Sequence, residues 1–222
     1  MAFKFSATSL DGYTKCSLYF KHRWVDYWRE PPFEGSSFGV ALHDAAAHWL
    51  MDRSYVPNWE ELLISAKVAE PSYELIQITE EYWNNWLSHQ TYEIPFAVEQ
   101  EIKLEHPTLG MLVGKIDAIY KEGPMLRIVD HKFVKNPFKK KSNHQMAFYS
   151  ILVPGANCFQ YEKVGLFEYQ VQETSSLSVA LRNIEKTIYL INEGKFEANP
   201  QRWYTEYCPF REQCGECLRN ST

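Results

Sequence analysis

No stretch of this chain stays apolar long enough to cross a membrane, and its opening residues, MAFKFSATSL, lack the apolar core of an export signal. Membrane partners and export are therefore not expected, and the chain reads as cytoplasmic or otherwise intracellular. Cysteine is sparse and odd in number, five in 222 residues. Without an export signal, that argues against a disulfide framework and towards free thiols or a metal site. Positive charge is in slight deficit, with a net charge of −5. A global excess of cations is thus missing, although a local basic groove is what contacts phosphate and an acidic metal site lowers the total. Internal repeats and low-complexity linkers are also missing. What remains is the composition of one globular domain with a full core. Along it, residues 1–90 read as mainly helical, 91–195 as an α/β core and 196–222 as a cysteine-containing tail.

The chain is organised around Gly114 to Lys132, GKIDAIYKEGPMLRIVDHK. Val113, Ile116, Ala118 and Ile119 make an apolar strand with one acid in it, Asp117. Gly123-Pro124 is a turn signal. Leu126, Ile128 and Val129 make a second strand that ends in Asp130-His131-Lys132. Two carboxylates therefore sit in or at the end of buried strands, where charges are rare unless paired or bound to metal. Asp130 and Lys132 are two apart, so on a strand they share a face. A carboxylate pair with an ammonium beside it suits a hard divalent cation and a water nucleophile.

Around this hairpin the periodicity predicts a helix from Ser6 to about Trp28, capped by Ser6 or Thr8, with Cys16 on its apolar face. Further helices are predicted over Phe38–Met51, Asn58–Lys67 and Ser72–His89. Their aromatic residues follow the helical stripe and read as core. His43 lies beside the stripe of the second helix and, by itself, reads as a core or capping histidine. Ile94 to Leu104 is a predicted strand with two acids, Glu99 and Glu101, assigned to one face. After Lys132 comes the only dense basic cluster, Lys135, Lys139, Lys140 and Lys141. Such a run is usually a solvated loop, but at the mouth of a metal site it is placed to hold phosphates. Asn143 to Leu152 is a predicted helix carrying Gln145 and Tyr149 on one face. A strand over Lys163–Gln170 and a helix over Leu177–Asn192, capped by Ser175 or Ser176, complete the core. In the tail, Cys208, Cys214 and Cys217 fall within ten residues of a proline-containing loop, a spacing that reads as metal ligation but needs a fourth ligand. Cys158 stands apart as a plain thiol.

Asp117 on one strand followed by Asp130-x-Lys132 on the next resembles the signature of the PD-(D/E)xK nucleases, and GKID…IVDHK resembles their RecB-like branch, which includes CRISPR-associated exonucleases. Four other segments resemble that branch in its own order: the Ser6–Phe20 opening, Gly39-x-x-x-His43, Gln145-x-x-x-Tyr149, and the Cys208–Cys217 tail. The resemblance implies a restriction-endonuclease-like α/β fold, a central mixed β-sheet flanked by helices, with an added N-terminal helical region. It implies that His43, Asp117, Asp130 and the carbonyl of His131 bind Mg²⁺ or Mn²⁺. Lys132 would then orient the water, with Gln145 and Tyr149 beside the site. Glu99 is the better match to a further acid of that branch, though the sequence does not separate it from Glu101. Cys16 would join Cys208, Cys214 and Cys217 around a [4Fe–4S] cluster. The tail departs from the family pattern, because Thr205 stands where the first of its thiols is expected and Cys217 is extra; Zn²⁺ or a metal-free set stays open.

The expected activity is that of a metal-dependent DNA nuclease, an exonuclease of recombination, repair or replication. Its partners would be DNA, contacted by Lys135, Lys139, Lys140 and Lys141, and recombination or replication proteins. A nucleoid association is compatible with this. The alternative is a DNA-binding or partner-recruiting module built on a cysteine-metal scaffold and without nuclease activity.

Overall fold

A computed structural model describes residues 3–30, 37–139, 141–174, 176–199 and 208–215. Its sheet contains β1 (Lys4–Phe5), β2 (Ala97–His106), β3 (Gly110–Glu122), β4 (Met125–Phe133), β5 (Ala156–Val164) and β6 (Tyr169–Glu173). The spatial order is β1-β3-β4-β5-β6, with β2 along the other edge of β3. β1 with β3 and β4 with β5 are parallel, and the remaining pairs are antiparallel. This is the mixed sheet the sequence predicts.

Helices cover both faces because their stripes are apolar at helical spacing. On one side α1 (Ala7–Lys15), α6 (His144–Leu152) and α7 (Ser178–Asn192) bury Leu10, Phe148, Ile184 and Ile188 against Ile116, Ile119 and Ile128. On the other, α3 (Ser37–Met51), α4 (Trp59–Ser65) and α5 (Tyr73–Ser88) bury Leu42, Leu63, Trp83 and Trp86 against Ala118, Tyr120 and Val129. Burying each large aliphatic side chain is worth roughly 1.5–3 kcal/mol. The helix starts follow local chemistry. Ser6, Asn58 and Ser72 each accept from a backbone N–H of the first turn, and Ser6 forms a reciprocal capping box with Ser9.

Three expectations are corrected. The single helix from Ser6 to Trp28 is broken at Cys16, whose backbone is extended, φ −160° and ψ 114°; a short α2 (Ser17–Phe20) and a π-helical turn (Lys21–Val25) follow. The cause is tertiary. Leu18 N–H bonds Glu197 O at 3.2 Å, and Ser17 Oγ and Glu197 exchange bonds at 2.6 and 2.7 Å, so the C-terminal segment takes groups a helix would use. The strand expected over Lys163–Gln170 is the end of β5, a tight turn closed by Gly165 N–H to Glu168 O at 2.7 Å, and the start of β6. Leu166 and Phe167 disguised that turn as strand, yet Phe167 is largely exposed to solvent. Finally, α7 begins after Leu177 with no side-chain cap; Ser175 lies outside the described residues. Among the described residues no helix is long and apolar enough to cross a membrane.

Candidate active site

The site forms where β3 loses a neighbour. One edge of β3 pairs with β2 from Gly110 to Ile119, with a break at Asp117. The other edge pairs with β1 at Met111–Leu112 and with β4 from Ala118 onward. Residues 113–117 lie between, and the β3–β4 ladder ends at Ala118↔Val129, one step short of Asp117 and Asp130. The strands part there, and side chains satisfy backbone groups the ladder would have used. His131 N–H donates to Asp117 Oδ2 at 2.8 Å, and Tyr149 O–H donates to Lys115 O at 2.9 Å. Gly114 lets α6 come close enough for the second bond. A Cβ there would run into the tip of Leu152, so any side chain would force that buried leucine to repack beneath Gln145 and Tyr149.

Asp130 is buried, and both its oxygens are engaged. Gln145 Nε2 donates to Oδ1 at 2.7 Å, and Lys132 Nζ forms an ion pair with Oδ2. Gln145 also donates to Tyr149 Oη at 2.8 Å, which joins the helix pair to the acid. Burial holds the Asp130 carboxyl above its ordinary range against the pull of Lys132, and Asp117 adds to the rise. Burial opposes the charge on Lys132, but Asp130 and Asp117 outweigh it and keep the ammonium above its usual value. Lys132 thus pairs directly with Asp130, and Asp117 lies close enough to raise both groups.

His43 comes from α3, with Nδ1 3.4 Å from Asp117 Oδ2 and its ring edge-on to Phe133. Burial, with the nearby charges of His131 and Lys132, pushes its imidazole down to about 4, so it is neutral near pH 7 with a lone pair to offer. Glu99 is the third member of the group. Ligand atoms of His43, Glu99 and Asp117 all lie within 4.8 Å of one another, the only such set among the described residues. Glu99 stands opposite Asp117 in the β2–β3 register but outside the ladder, which passes from Val98↔Ala118 to Gln100↔Ile116. Its φ is +50°, left-handed in mid-strand for a residue with a side chain. Such backbone costs about 1–3 kcal/mol and tends to cluster at functional sites. Burial raises the Glu99 carboxyl, while its ion pair with Lys115 pulls the other way. Glu101, by contrast, is exposed. The structure thus separates two acids that strand alternation left equivalent. Two carboxylates and a neutral imidazole make a donor set suited to a divalent cation of the Mg²⁺/Mn²⁺ kind.

His131 turns its imidazole away from Asp130, to the α3–α5 side of the sheet against Trp86, leaving its main chain at the acids. There Nδ1 pairs with Glu162 at 3.0 Å, and Glu162 also accepts from Trp86 Nε1 at 3.3 Å and Gln90 Nε2 at 3.2 Å. Sequence reasoning missed Glu162. The available signal was the same as for Asp117, an acid inside the apolar strand ANCFQYEKV.

The basic loop after β4 holds Lys135 and Lys139 in solvent and Lys141 half-buried; Lys140 lies outside the described residues. Among the cysteines, Cys16 Sγ accepts from Asn199 N–H at 3.4 Å. Cys208, Phe210 and Cys214 pack on Leu18, Tyr19 and Trp28, just beyond Cys16. The two ends of the chain therefore meet. Cys217 and Thr205 lie outside the described residues. Cys158 is half-buried in β5 and apart from these thiols.

A mixed sheet that opens beside two strand-borne carboxylates, with an ammonium on one and a histidine at the other, defines a nuclease core of the restriction-endonuclease type. The chain belongs to the PD-(D/E)XK nuclease superfamily, whose model matches residues 4–215. By family it is a phosphodiester hydrolase of a group that uses divalent metals. In fold it is similar to a presumed exonuclease from Eubacterium rectale, at TM-score 0.63 and 14% identity over 98% of this chain and 88% of that one. A second solved structure, SSO0001, aligns over 94% of each chain at 13% identity and TM-score 0.46. No curated protein matches the sequence.

Proposed function

We propose that this protein is a metal-dependent deoxyribonuclease, an exonuclease acting in DNA recombination, repair or replication. The observation that carries the proposal is the convergence of Asp117, Asp130 and Lys132 with His43 and Glu99 where β3 and β4 part. The name of the Eubacterium rectale protein favours exonuclease over endonuclease action.

His43, Glu99, Asp117 and Asp130, with the carbonyl of His131, would hold Mg²⁺ or Mn²⁺, and the imidazole tilts preference towards Mn²⁺. A bound divalent cation would supply Lewis-acid chemistry, making water more acidic and offsetting phosphoryl charge. Lys132 Nζ, fixed against Asp130, is placed to orient the attacking water and to offset charge on the phosphorane oxygens. Gln145 holds Asp130 in its rotamer, and Tyr149 anchors Gln145 to β3. The test is digestion of end-labelled single- and double-stranded DNA with Mg²⁺, with Mn²⁺ and with EDTA. Mononucleotide release that EDTA abolishes is expected. DNA binding without cleavage in either metal would leave a binding module instead.

The loop after β4 is proposed to contact the DNA backbone through Lys135, Lys139, Lys140 and Lys141. Neutralising Lys139, Lys140 and Lys141 together should weaken binding equally across sequences. The slope of log affinity against log salt should flatten by roughly one per lost phosphate contact. An unchanged slope would return these lysines to a solvated loop.

The cysteine tail is proposed to close a metal site, [4Fe–4S] or Zn²⁺, from Cys16, Cys208, Cys214 and Cys217. Cys208 and Cys214 pack on Leu18 and Tyr19, close to Cys16 along the chain, which supports the reading; among the described residues Cys16, Cys208 and Cys214 do not form a set of ligand atoms within 4.8 Å of one another. Protein prepared without oxygen should carry iron and absorb broadly in the visible, or carry stoichiometric zinc without colour. Cys16→Ala should lower the melting temperature of the whole domain, because such metal binding is coupled to folding. Metal-free protein with an unchanged melting temperature in Cys16→Ala would leave ordinary thiols.

A further inference from the structure

Two clefts adjoin the acids and share no lining residue. The first, of about 340 Å³, holds His43, Glu99 and Asp117. The second, of about 360 Å³, lies on the other side of Asp130, between α1 and the start of α6, and holds Thr8, Lys15, Lys132, Lys141 and His144. Among the described residues its only acid is Asp11, which is already paired with Lys15 at 2.7 Å on the helix surface. Lys132 is taken by Asp130.

Two groups in this cleft lack a matched polar partner among the described residues. Lys141 is half-buried and forms no ion pair among the described residues; burial and the nearby Lys132, Lys139 and Lys15 hold its ammonium below the usual range, against the attraction of Asp130. His144 has a buried Nε2 with no hydrogen-bond partner among the described residues. Buried polar atoms rarely go unmatched without cause. Nor is Lys141 a lysine waving from a loose loop. Gln172 accepts from its backbone N–H and donates to its carbonyl, both at 3.0 Å. The buried Lys163 bonds Gln172 and Lys139 O, each at 3.1 Å, and Tyr161 bonds Ser142 O at 3.1 Å. The loop is held before any ligand arrives.

We propose that this second cleft is a phosphate subsite, separate from the metal ligands. It takes a phosphate group of the nucleic acid beside the bond to be cut, held by Lys141 Nζ and His144 Nε2 with Lys15 and Thr8 at its rim. The assignment rests on the nuclease reading for what the phosphate belongs to, but its binding needs neither metal nor cleavage. The phosphate is either a terminal monoester or an internal diester. Both offer the same oxygens to an ammonium and an imidazole N–H.

The test is titration of the full chain in EDTA with inorganic phosphate and with a nucleoside monophosphate, followed by calorimetry or ³¹P NMR. Binding is expected in the wild type. It should weaken at least tenfold in Lys141→Met and in His144→Leu, and recover in Lys141→Arg. Oligonucleotides with a 5′-phosphate, a 3′-phosphate or hydroxyls at both ends then separate the sources. Tighter binding of one phosphorylated end, lost in Lys141→Met, assigns a terminal phosphate. Equal affinity for all three, lost in the same variant, assigns an internal one. Binding that requires metal, or that is unchanged in folded Lys141→Met and His144→Leu proteins, would overturn the subsite. Phosphate binding with no cleavage under any metal would instead sink the nuclease reading and leave the subsite standing.

Discussion

Lys132→Ala protein is expected to fold and bind DNA yet to cleave it on the order of a thousandfold more slowly, and Asp130→Ala to do the same. Among the described residues Lys132 Nζ is the ammonium fixed on Asp130, and that acid is itself buried. Without it, Asp130 is left as a buried carboxyl already pushed towards its neutral form. Asp130→Ala removes the acid and also frees Gln145, whose remaining partner is Tyr149. Asp130→Asn separates the two effects. It keeps the shape that Gln145 packs against and removes only the charge, so its melting temperature should stay closer to wild type while cleavage is still lost. Single-turnover rates on end-labelled DNA at saturating Mn²⁺ are the measurement. Near wild-type cleavage by folded Lys132→Ala would sink the role given to this side chain.

Much of this site could be read from strand and helix periodicity, because its acids break apolar patterns. Asp117 and Asp130 are visible as charges in buried runs, and Gln145 and Tyr149 share a helix face whatever their partners. What pattern cannot show is where backbone departs from regular geometry. Glu99 and Glu101 are equivalent on an ideal strand, and only the left-handed φ of Glu99 sets one of them beside Asp117. The break at Cys16 depends on hydrogen bonds from Glu197, some 180 residues away along the chain. The turn between β5 and β6 hides behind Leu166 and Phe167, whose apolar character extends a strand pattern although Phe167 lies in solvent. The phosphate cleft draws Lys15 and Lys141 from opposite halves of the chain. None of these is a property of a local window. Each is a tertiary contact overriding a local preference.

Behind the acids, the Glu162–His131 pair should be the most consequential buried contact for stability. Burial alone would push the Glu162 carboxyl up, but the hydrogen bond and charge of His131, with Gln90 and Trp86, hold it below the ordinary range. Burial alone would push His131 down, and Glu162 outweighs that and raises it. The signs follow from linkage. A lowered acid contributes stability above its unfolded value of 4.5, and that share is lost as pH falls through the folded value. A raised histidine contributes below its unfolded value of 6.5, and that share is lost as pH rises through the folded value. The pair therefore contributes most between these two values. Glu162→Ala strands a buried imidazole and should cost about 3–5 kcal/mol there. The loss should be deepest on the acidic side of 6.5, where the unfolded chain takes up a proton that folded His131, now unpaired, resists. It should shrink as pH rises through the folded value of His131, where the imidazole gives up its proton and with it the charge that Glu162 matches. Glu162→Gln retains an acceptor for Trp86 and Gln90 and should lose less. Because His131 N–H anchors Asp117, a shift of β4 in Glu162→Ala should also slow cleavage. Urea unfolding at pH 5.5 and pH 8 reads the effect. A loss under about 1 kcal/mol at both, the range of an ordinary surface substitution, would show that the pair is not what holds this end of β4.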